Sequence, residues 1–490
     1  MNRGMKLKRH SFLSNQECQV IHDSSCRLLE EVGVAATSEK AIDLFQKKGA
    51  VYEQGRVKIP KNMVEDALEK TAKEITLHGQ HSKDNIRLNP EDPLVYYGTG
   101  GQALNVLYYH DGEFEKKSAG TQDLIDILRI CENLENVDFI TRPVEPDVPE
   151  EKMDLEKTRI FLENTSKHVN LANLIKLDKL PEIIEAVKDK SRISFISCVL
   201  VSPMNLVSDT VEKFMDIVKE DIAVSISSCP QGGSTAPLSE VGEIIQVNAE
   251  LLSAVVLANL VRPGAKVLYR GIPITSNLYA DASPRWCQPE SIRRIAVITD
   301  MTYFYKIPCC GTAAVSDEKE PNPQTVAEKT LSWVFESASG AQFINSAVGM
   351  LEQVLTVSPE QYIIDNQVIS RIKELFSQSP DYDLAEIAQK AVHDALNMFD
   401  VNLDSQMKQD ISNRIEFILS PKEEYTPEYA GSQVDTISKA IQSGRSSNKF
   451  MKASRAGLRK GWLYKGMRLE GQMNLDEVLR IKKQILGWDR

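Results

Sequence analysis

The chain has 490 residues, with 58 Lys and Arg against 69 Asp and Glu, a formal net charge of −11. At 42% hydrophobic and 26% charged residues it is globular rather than disordered, and it lacks the overall basic charge that binding a phosphate backbone requires. Nucleic acid is therefore not an expected partner.

The opening MNRGMKLKRHSFLSNQE is positive but has no apolar run behind it, so no secretory signal is predicted. Apolar positions at Val20, Ile21, Leu28, Leu29 and Val32 mark one face of a helix over Asn15–Val32. A second helix is predicted over Ser38–Lys48, then a short extended GRVKIP. Pro60 opens a third helix over Asn62–Thr71, since proline is tolerated in the first helical turn. Residues 1–93 thus read as an α-rich N-terminal cap.

From Leu94 the rhythm changes to short β-branched or apolar runs: LVYYG (94–98), VDFITRP (137–143), HVNLAN (168–173), ISFISCVLV (193–201), IAVSISSC (222–229), AKVLYRGI (265–272), IPCCGTAAV (307–315) and AQFINSA (341–347). Each is followed by a helical pattern: Thr121–Glu135, Glu151–Ser166, Lys179–Lys190, Ser208–Lys219, Ser239–Leu260, Pro289–Tyr305, Gln324–Ser339 and Pro359–Phe376. Between the first run and its helix, Asp111-Gly112 signals a hairpin with a two-residue turn. Strands alternating with helices imply parallel pairing through crossovers, and eight of them is the number of a (β/α)₈ TIM barrel. A doubly wound open sheet is the competing topology, but its usual GxGxxG turn is not matched by Gly98-Thr99-Gly100-Gly101. The expected organisation is an α/β barrel over 94–380 and a helical C-terminal extension over 381–490.

The most apolar stretch, Leu251–Val261, is interrupted by Ser253 and Asn259 and falls short of the roughly 20 residues of a membrane span. Eight cysteines occur without a CxxC pair, as expected of reduced thiols in a cytoplasmic protein. Between Asp435 and Glu470 there is no acidic residue, while Lys439, Arg445, Lys449, Lys452, Arg455, Arg459, Lys460, Lys465 and Arg468 are basic. Segment 436–469 is either a solvated face or a docking surface for an acidic partner or a cofactor phosphate.

A barrel carries its active site at the C-terminal ends of its strands. That selects Tyr97, Gly98 to Gly101, Arg142, Asn173, Ser202-Pro203, Ser228 to Gly233, Tyr269 to Pro273, Cys310 to Thr312 and Asn345. Gly100 and Gly101 are either a phosphate cradle or a tight turn. Arg142 or Arg270 can clamp a carboxylate, and Tyr97, Tyr269, Trp286 or Phe343 can face a cation, with a salt bridge or core packing as the plainer reading of each. One of Cys309 and Cys310 should point inward, as core rather than nucleophile. The seven histidines show no ligand spacing, so no metal is expected, and no GxSxG elbow supports a serine hydrolase.

LLEEVGV, AIDLFQKKGAVYEQGRVKIPKNMVEDAL, GTGGQALNVLYYHDGE, SPMNLVSDTVEKF, AELLSAVVLANLVRPGAKVLYRGIP, PQTVAEK and SPEQYIIDNQVISRI together resemble the trimethylamine:corrinoid methyltransferase superfamily, in order from about residue 10 to 375. With no pyrrolysine in the chain, the likeness is to the branch that demethylates quaternary amines such as betaines. The resemblance implies a TIM barrel, a methylated amine as substrate, and a corrinoid (cobalamin) carried on a small corrinoid-binding partner protein as methyl acceptor. It also singles out Gln324 and Glu328 as catalytic candidates, because they match the superfamily's Asp-x-Gln-Ala-x-x-Glu pattern, while Asn322 and Thr325 depart from it. Ser316-Asp317-Glu318-Lys319 approaches a further turn of the superfamily, and FILSPKEEYTPEY lacks its histidine-threonine pair. Substrate-binding candidates are Tyr97, Gly100, Gly101, Arg142, Tyr269, Arg270, Thr312 and Asn345. A catalytically silent barrel binding the same partner or a methylated amine, and a barrel enzyme of another reaction class, stay open as alternatives. A homo-oligomer is compatible with the same sequence.

Overall fold

Helix α1 (Asn15–Glu31) starts where Ser14 accepts from the Glu17 amide and the Glu17 carboxylate accepts from the Ser14 amide, a reciprocal cap that satisfies two otherwise orphaned donors. It buries Ile21, Leu28 and Leu29. The computed structural model describes residues 4–421, 423–444, 449–452 and 458–487. Helices α2 (Glu39–Lys47) and α3 (Lys61–Lys70) follow as the apolar periodicity predicts. The extended GRVKIP contains the strand Arg56–Lys58, and the N-terminal part also holds strands that the α-rich reading did not include. Val34–Ala36 pairs with the hairpin Val51–Glu53/Arg56–Lys58 and, in parallel, with Asn205–Leu206 from far along the chain. Strands of two or three residues leave too short an alternation to be read locally.

The eight apolar runs become parallel neighbours in chain order. Tyr96–Tyr97, Phe139–Thr141, His168–Asn170, Ile193–Ser197, Ala223–Ser228, Val267–Gly271 and Phe343–Ile344 are strands. Consecutive members pair in parallel. Single parallel bridges complete the order: Gly98 to Phe139, Tyr269 to Cys309, and Thr312 to Asn345. The last strand pairs in parallel with the first, Phe343 with Tyr96 and Ile344 with Tyr97. The seventh run contributes bridges rather than a regular strand.

The intervening helices are α4 (Thr121–Asn133), α5 (Glu150–Asn164), α6 (Leu180–Val187), α7 (Ser208–Lys219), α8 (Glu240–Val261), α9 (Pro289–Tyr305), α10 (Pro323–Ser339) and α11 (Pro359–Gln378). Proline fills the first turn of α9, α10 and α11, where its missing N–H costs nothing. The hairpin Asn105–His110/Glu113–Ser118 turns at Asp111 and Gly112, both at positive φ as a type I′ turn requires.

Among the described residues α8 alone is long and apolar enough to cross a membrane, and it is buried between α1, α3, the later helix Pro427–Gln442 and the strands instead. The C-terminal extension consists of α12 (Leu384–Asn397), α13 (Ser405–Leu419), α14 (Pro427–Gln442) and a final helix, Asp476–Leu486.

Residues alternate inward and outward along the strands. The lower interior is apolar: Tyr96, Phe139, Ala223, Leu268, Cys310 and Phe343 form one cluster with Ile75, Leu77, Ile86 and Leu88 of the hairpin Ile75–Leu77/Ile86–Leu88, which plugs the strands' N-terminal end. Phe139 stacks on Phe343 at 3.5 Å between ring centroids. Cys310 joins this cluster while Cys309 contacts Thr299 on α9, so the two cysteines divide between the faces as predicted.

Candidate functional site

Above the apolar layer the interior turns polar. Thr141, Asn170, Ser225, Ser227, Arg270, Thr312 and Asn345 are all buried there. Arg270 Nε donates to Thr312 Oγ1 at 3.1 Å and Nη1 to Ser227 Oγ at 2.9 Å. Among the described residues no carboxylate pairs with it. A buried guanidinium held only by neutral hydroxyls keeps its charge for something else. Asn345 Nδ2 donates to Thr141 Oγ1 at 2.9 Å, tying the eighth segment to the second. Cys198 and Cys229 continue the inward faces of Ser194 and Ile196 and of Ser225 and Ser227, and both are exposed although their neighbours in sequence are buried. Solvent therefore reaches the strands' C-terminal ends from outside. Burial still pushes the Cys229 thiol up to about 12, so it is no ready nucleophile.

The Gly98–Gly101 turn lies against the eighth segment, with the Ser346 and Ala347 amides donating to Thr99 and Gly98 carbonyls. A β-carbon on Gly98 would stand 2.1 Å from the Phe139 ring, and Gly101, at φ +114°, would meet the Met350 sulfur at 2.1 Å. Gly100 abuts Asn345 and Ser346. The glycines permit close backbone approach at the mouth.

The other sequence candidates are not all brought together with these. Tyr97 and Tyr269 point away from the interior: Tyr97 Oη meets Ser337 Oγ on α10 at 2.7 Å, and Tyr269 Oη donates to Asn248 Oδ1 on α8 at 2.6 Å. Alternation assigns adjacent residues opposite faces, so a mouth that takes Arg270 turns Tyr269 outward. Arg142 is likewise behind its strand, paired with Glu145 at 2.5 Å beside Asp154 and Lys157. Lys157 is pushed down to about 8 by burial and by Arg142. Phe343 belongs to the apolar floor.

Gln324 and Glu328 stand one turn apart on α10. Gln324 Nε2 donates to Glu328 Oε1 at 2.7 Å, Gln288 Nε2 to the same oxygen at 2.9 Å, and Ser316 Oγ to Glu328 Oε2 at 3.0 Å. Asp317, on the same turn as Ser316, accepts from the Trp286 amide at 2.9 Å. Burial and then the neighbouring Glu328 push Asp317 up to about 8, and burial raises Glu328. Among the described residues neither carboxylate has an ion-pair partner. Asn322 and Thr325 have local duties: Asn322 Oδ1 caps α10 by accepting from the Thr325 amide at 2.9 Å, as an aspartate would, and Thr325 Oγ1 donates to the Glu320 carbonyl.

The same turn borders a cleft of about 390 Å³ that includes Tyr279, Arg285, Gln288, Asp317, Tyr464 and Lys465. Of these, sequence reasoning had noted the turn carrying Asp317 and, as part of the basic segment, Lys465. Lys465 lies in the basic segment, whose members Arg445 and Arg455 fall outside the described residues.

The family model for trimethylamine methyltransferase matches residues 3–399. The chain belongs to that family. Relatives include trimethylamine methyltransferases of Methanosarcina thermophila, 28% identical over 384 residues (76% of this chain, 79% of that protein), and of Desulfitobacterium hafniense, 28% over 372 residues (74% of each). A proline betaine:corrinoid methyltransferase of Eubacterium limosum is 24% identical over 405 residues, covering 79% of this chain and 81% of that protein. The family match ends before α13, so the part of the extension that supplies Tyr464 and Lys465 lies outside it.

Proposed function

We propose that this chain transfers a methyl group from a quaternary amine of the betaine type to the Co(I) of a corrinoid carried by a small partner protein. Membership of the trimethylamine methyltransferase family and the proline betaine:corrinoid relative support the reaction class. The observation that carries the substrate class is Arg270, a buried cation at the strand ends with two hydroxyl partners and, among the described residues, no carboxylate. A betaine brings the missing carboxylate, and Arg270 can bind it through paired N–H groups.

We further infer that the eight parallel segments form one closed (β/α)₈ barrel spanning 94–380. The last-to-first pairing supports this. A cap over 1–93 and a helical extension over 381–490 flank it. The exposed Leu104, Val201, Tyr279 and Leu355 lie in the segments that follow strands one, four, six and eight, apolar positions on the side where a corrinoid protein would dock.

The corrinoid supplies the nucleophile that takes the methyl group. A quaternary ammonium already carries the charge that activates it: the C–N electron pair stays on nitrogen and a neutral tertiary amine leaves, so no proton need be given. The seven buried polar residues of the strands named above are hydroxyls, amides and one arginine, with no acid or base among them. The chain's work is then to fix the carboxylate at Arg270, align the N–CH₃ bond toward the mouth, and exclude water. Gln324 and Glu328 enter as candidates that shape the wall beside the mouth rather than as proton carriers.

The reading is tested by mixing the purified protein anaerobically with cob(I)alamin and glycine betaine, proline betaine, carnitine or choline in turn. Formation of methylcobalamin in the visible spectrum is expected with a carboxylate-bearing amine. No spectral change with any of the four would sink it.

A further inference from the structure

The stretch from Leu463 to Leu469 is tied down at both ends and arches over the cleft beside the strand ends. Leu463 and Leu469 are buried. The Leu469 amide donates to Gln324 Oε1 at 2.9 Å, Arg468 pairs with Glu318 at 2.5 Å, and Tyr464 Oη and the Met467 amide both donate to Asp410. Arg414 closes the arch from below by donating to the Met467 carbonyl at 2.8 Å. Held this way, Lys465 places its ammonium 3.8 Å from the centroid of the Tyr279 ring. The other cation–ring contacts among the described residues are longer, from 4.2 to 5.5 Å.

The position Lys465 takes has the chemistry of an ammonium site. One wall is the Tyr279 face, Tyr464 and Asp317 line the same cleft, and Arg285, which also lines it, is paired with Glu290 at 3.2 Å and acts on Asp317 only through its field. Asp317 and Glu328 share the amide of Gln288, at 3.4 and 2.9 Å, so two carboxyls converge, neither in direct ion-pair contact among the described residues, with Arg285 and Arg414 acting on them from farther off. The volume of about 390 Å³ falls within the ~300–1,000 Å³ of small-molecule sites. An aromatic face binds a quaternary ammonium, and a cation arriving beside the Asp317 carboxyl, which burial pushes up to about 8, favours its ionised form.

We propose that this cleft is a binding site for methylated ammonium groups and that Lys465, delivered by a segment beyond the family match, occupies it as an internal competitor. The inference rests on the methylated-amine reading above and adds its regulation: substrate, or a partner that lifts the segment, must displace the lysine. The chain's own ammonium thereby sets an affinity threshold for the amine, and loosening the arch lowers it.

Lys465 and Tyr279 are both exposed, so substituting them leaves the core untouched. Binding of tetramethylammonium and of glycine betaine is measured by calorimetry on the full-length wild type, Lys465→Met, Lys465→Arg and Lys465→Met with Tyr279→Leu. Removing the resident cation is expected to tighten tetramethylammonium binding by about fivefold or more, Lys465→Arg to bind as wild type, and Tyr279→Leu to abolish the gain. Equal affinity of wild type and Lys465→Met would overturn the proposal. Methyl transfer to free cob(I)alamin is read separately. Tighter binding without transfer upholds the cleft and refutes the enzymatic reading, whereas transfer with unchanged binding does the reverse.

Discussion

Arg270 is the residue on which substrate choice turns. Replacing it with alanine removes the guanidinium while Ser227 and Thr312 remain satisfied by water, so the fold should tolerate the change. The expected result is a rise of about 10- to 100-fold in KM for a carboxylate-bearing betaine, with little change for choline, which has no carboxylate. Equal losses for both amines would refute the clamp. Arg270→Lys should recover only part of the betaine preference, because an ammonium cannot make the paired contact. The thiols give a second reading at this scale. Cys198 and Cys229 are exposed and the other six are buried. Iodoacetamide at pH 8 is expected to modify Cys198 first and Cys229 slowly, its thiol being pushed up to about 12, with glycine betaine slowing both. Peptide mass mapping that finds another cysteine labelled first would contradict the open mouth.

At the scale of elements, α10 and α11 are joined by a buried ion pair. Lys329 Nζ lies 2.9 Å from Asp365 Oδ2, both fully buried, and also donates to the carbonyls of Ala314 and Met350, which end the seventh segment and flank the eighth. Asp365→Ala strands that charge and is expected to cost about 3–5 kcal/mol, seen as a large fall in Tm. Lys329→Met combined with Asp365→Leu should cost less than Asp365→Ala alone, since the desolvation penalty goes with both charges.

Glu336, also on α10, has neither carboxylate oxygen hydrogen-bonded by a side chain, and burial pushes it up to about 8. Its folded pKa lies above the unfolded value, so the native state binds the extra proton and stability falls as pH rises from about 4.5 to about 8. Glu336→Gln is expected to be more stable than wild type at pH 8 and to differ little from it at pH 5, by thermal unfolding at the two pH values. A variant that tracks wild type at both would show that the carboxyl is not protonated in the native protein.

For the whole molecule, residues beyond Phe399 are fastened to the α/β body by buried polar contacts. Tyr425 Oη donates to Glu240 Oε1 at 2.8 Å at the start of α8, Arg293 of α9 donates to the Ile418 carbonyl at 3.0 Å, and Lys482 pairs with the buried Glu360 of α11 at 2.5 Å. A chain ended at Phe399 loses all three and exposes the faces of α8 and α9 that the extension covers. It is expected to unfold at markedly lower temperature or to aggregate, although the family match ends at that residue. Unchanged thermal unfolding would show that the extension is an independent appendage.

Much of this was legible in the chain itself. Eight apolar runs of β-branched residues, each followed by helical periodicity, determined the order of elements. Ser208–Lys219 and Pro289–Tyr305 have the bounds read from the sequence: the second starts at a proline, a local signal, while the first has no side-chain cap and follows its apolar periodicity. The resemblance in quoted motifs indicated the family. The tertiary structure decided which face each strand residue presents. Arg270 and Tyr269 are equal candidates in sequence, and only the pairing of the strands sends one into the mouth and the other toward Asn248. It also decided the sheet of the cap, whose partners lie more than a hundred residues apart. The meeting of Lys465 with Tyr279 is of the same kind: a charge average of −11 records a basic tail segment only as a sum, and where that segment lies is set by long-range packing that no local pattern encodes.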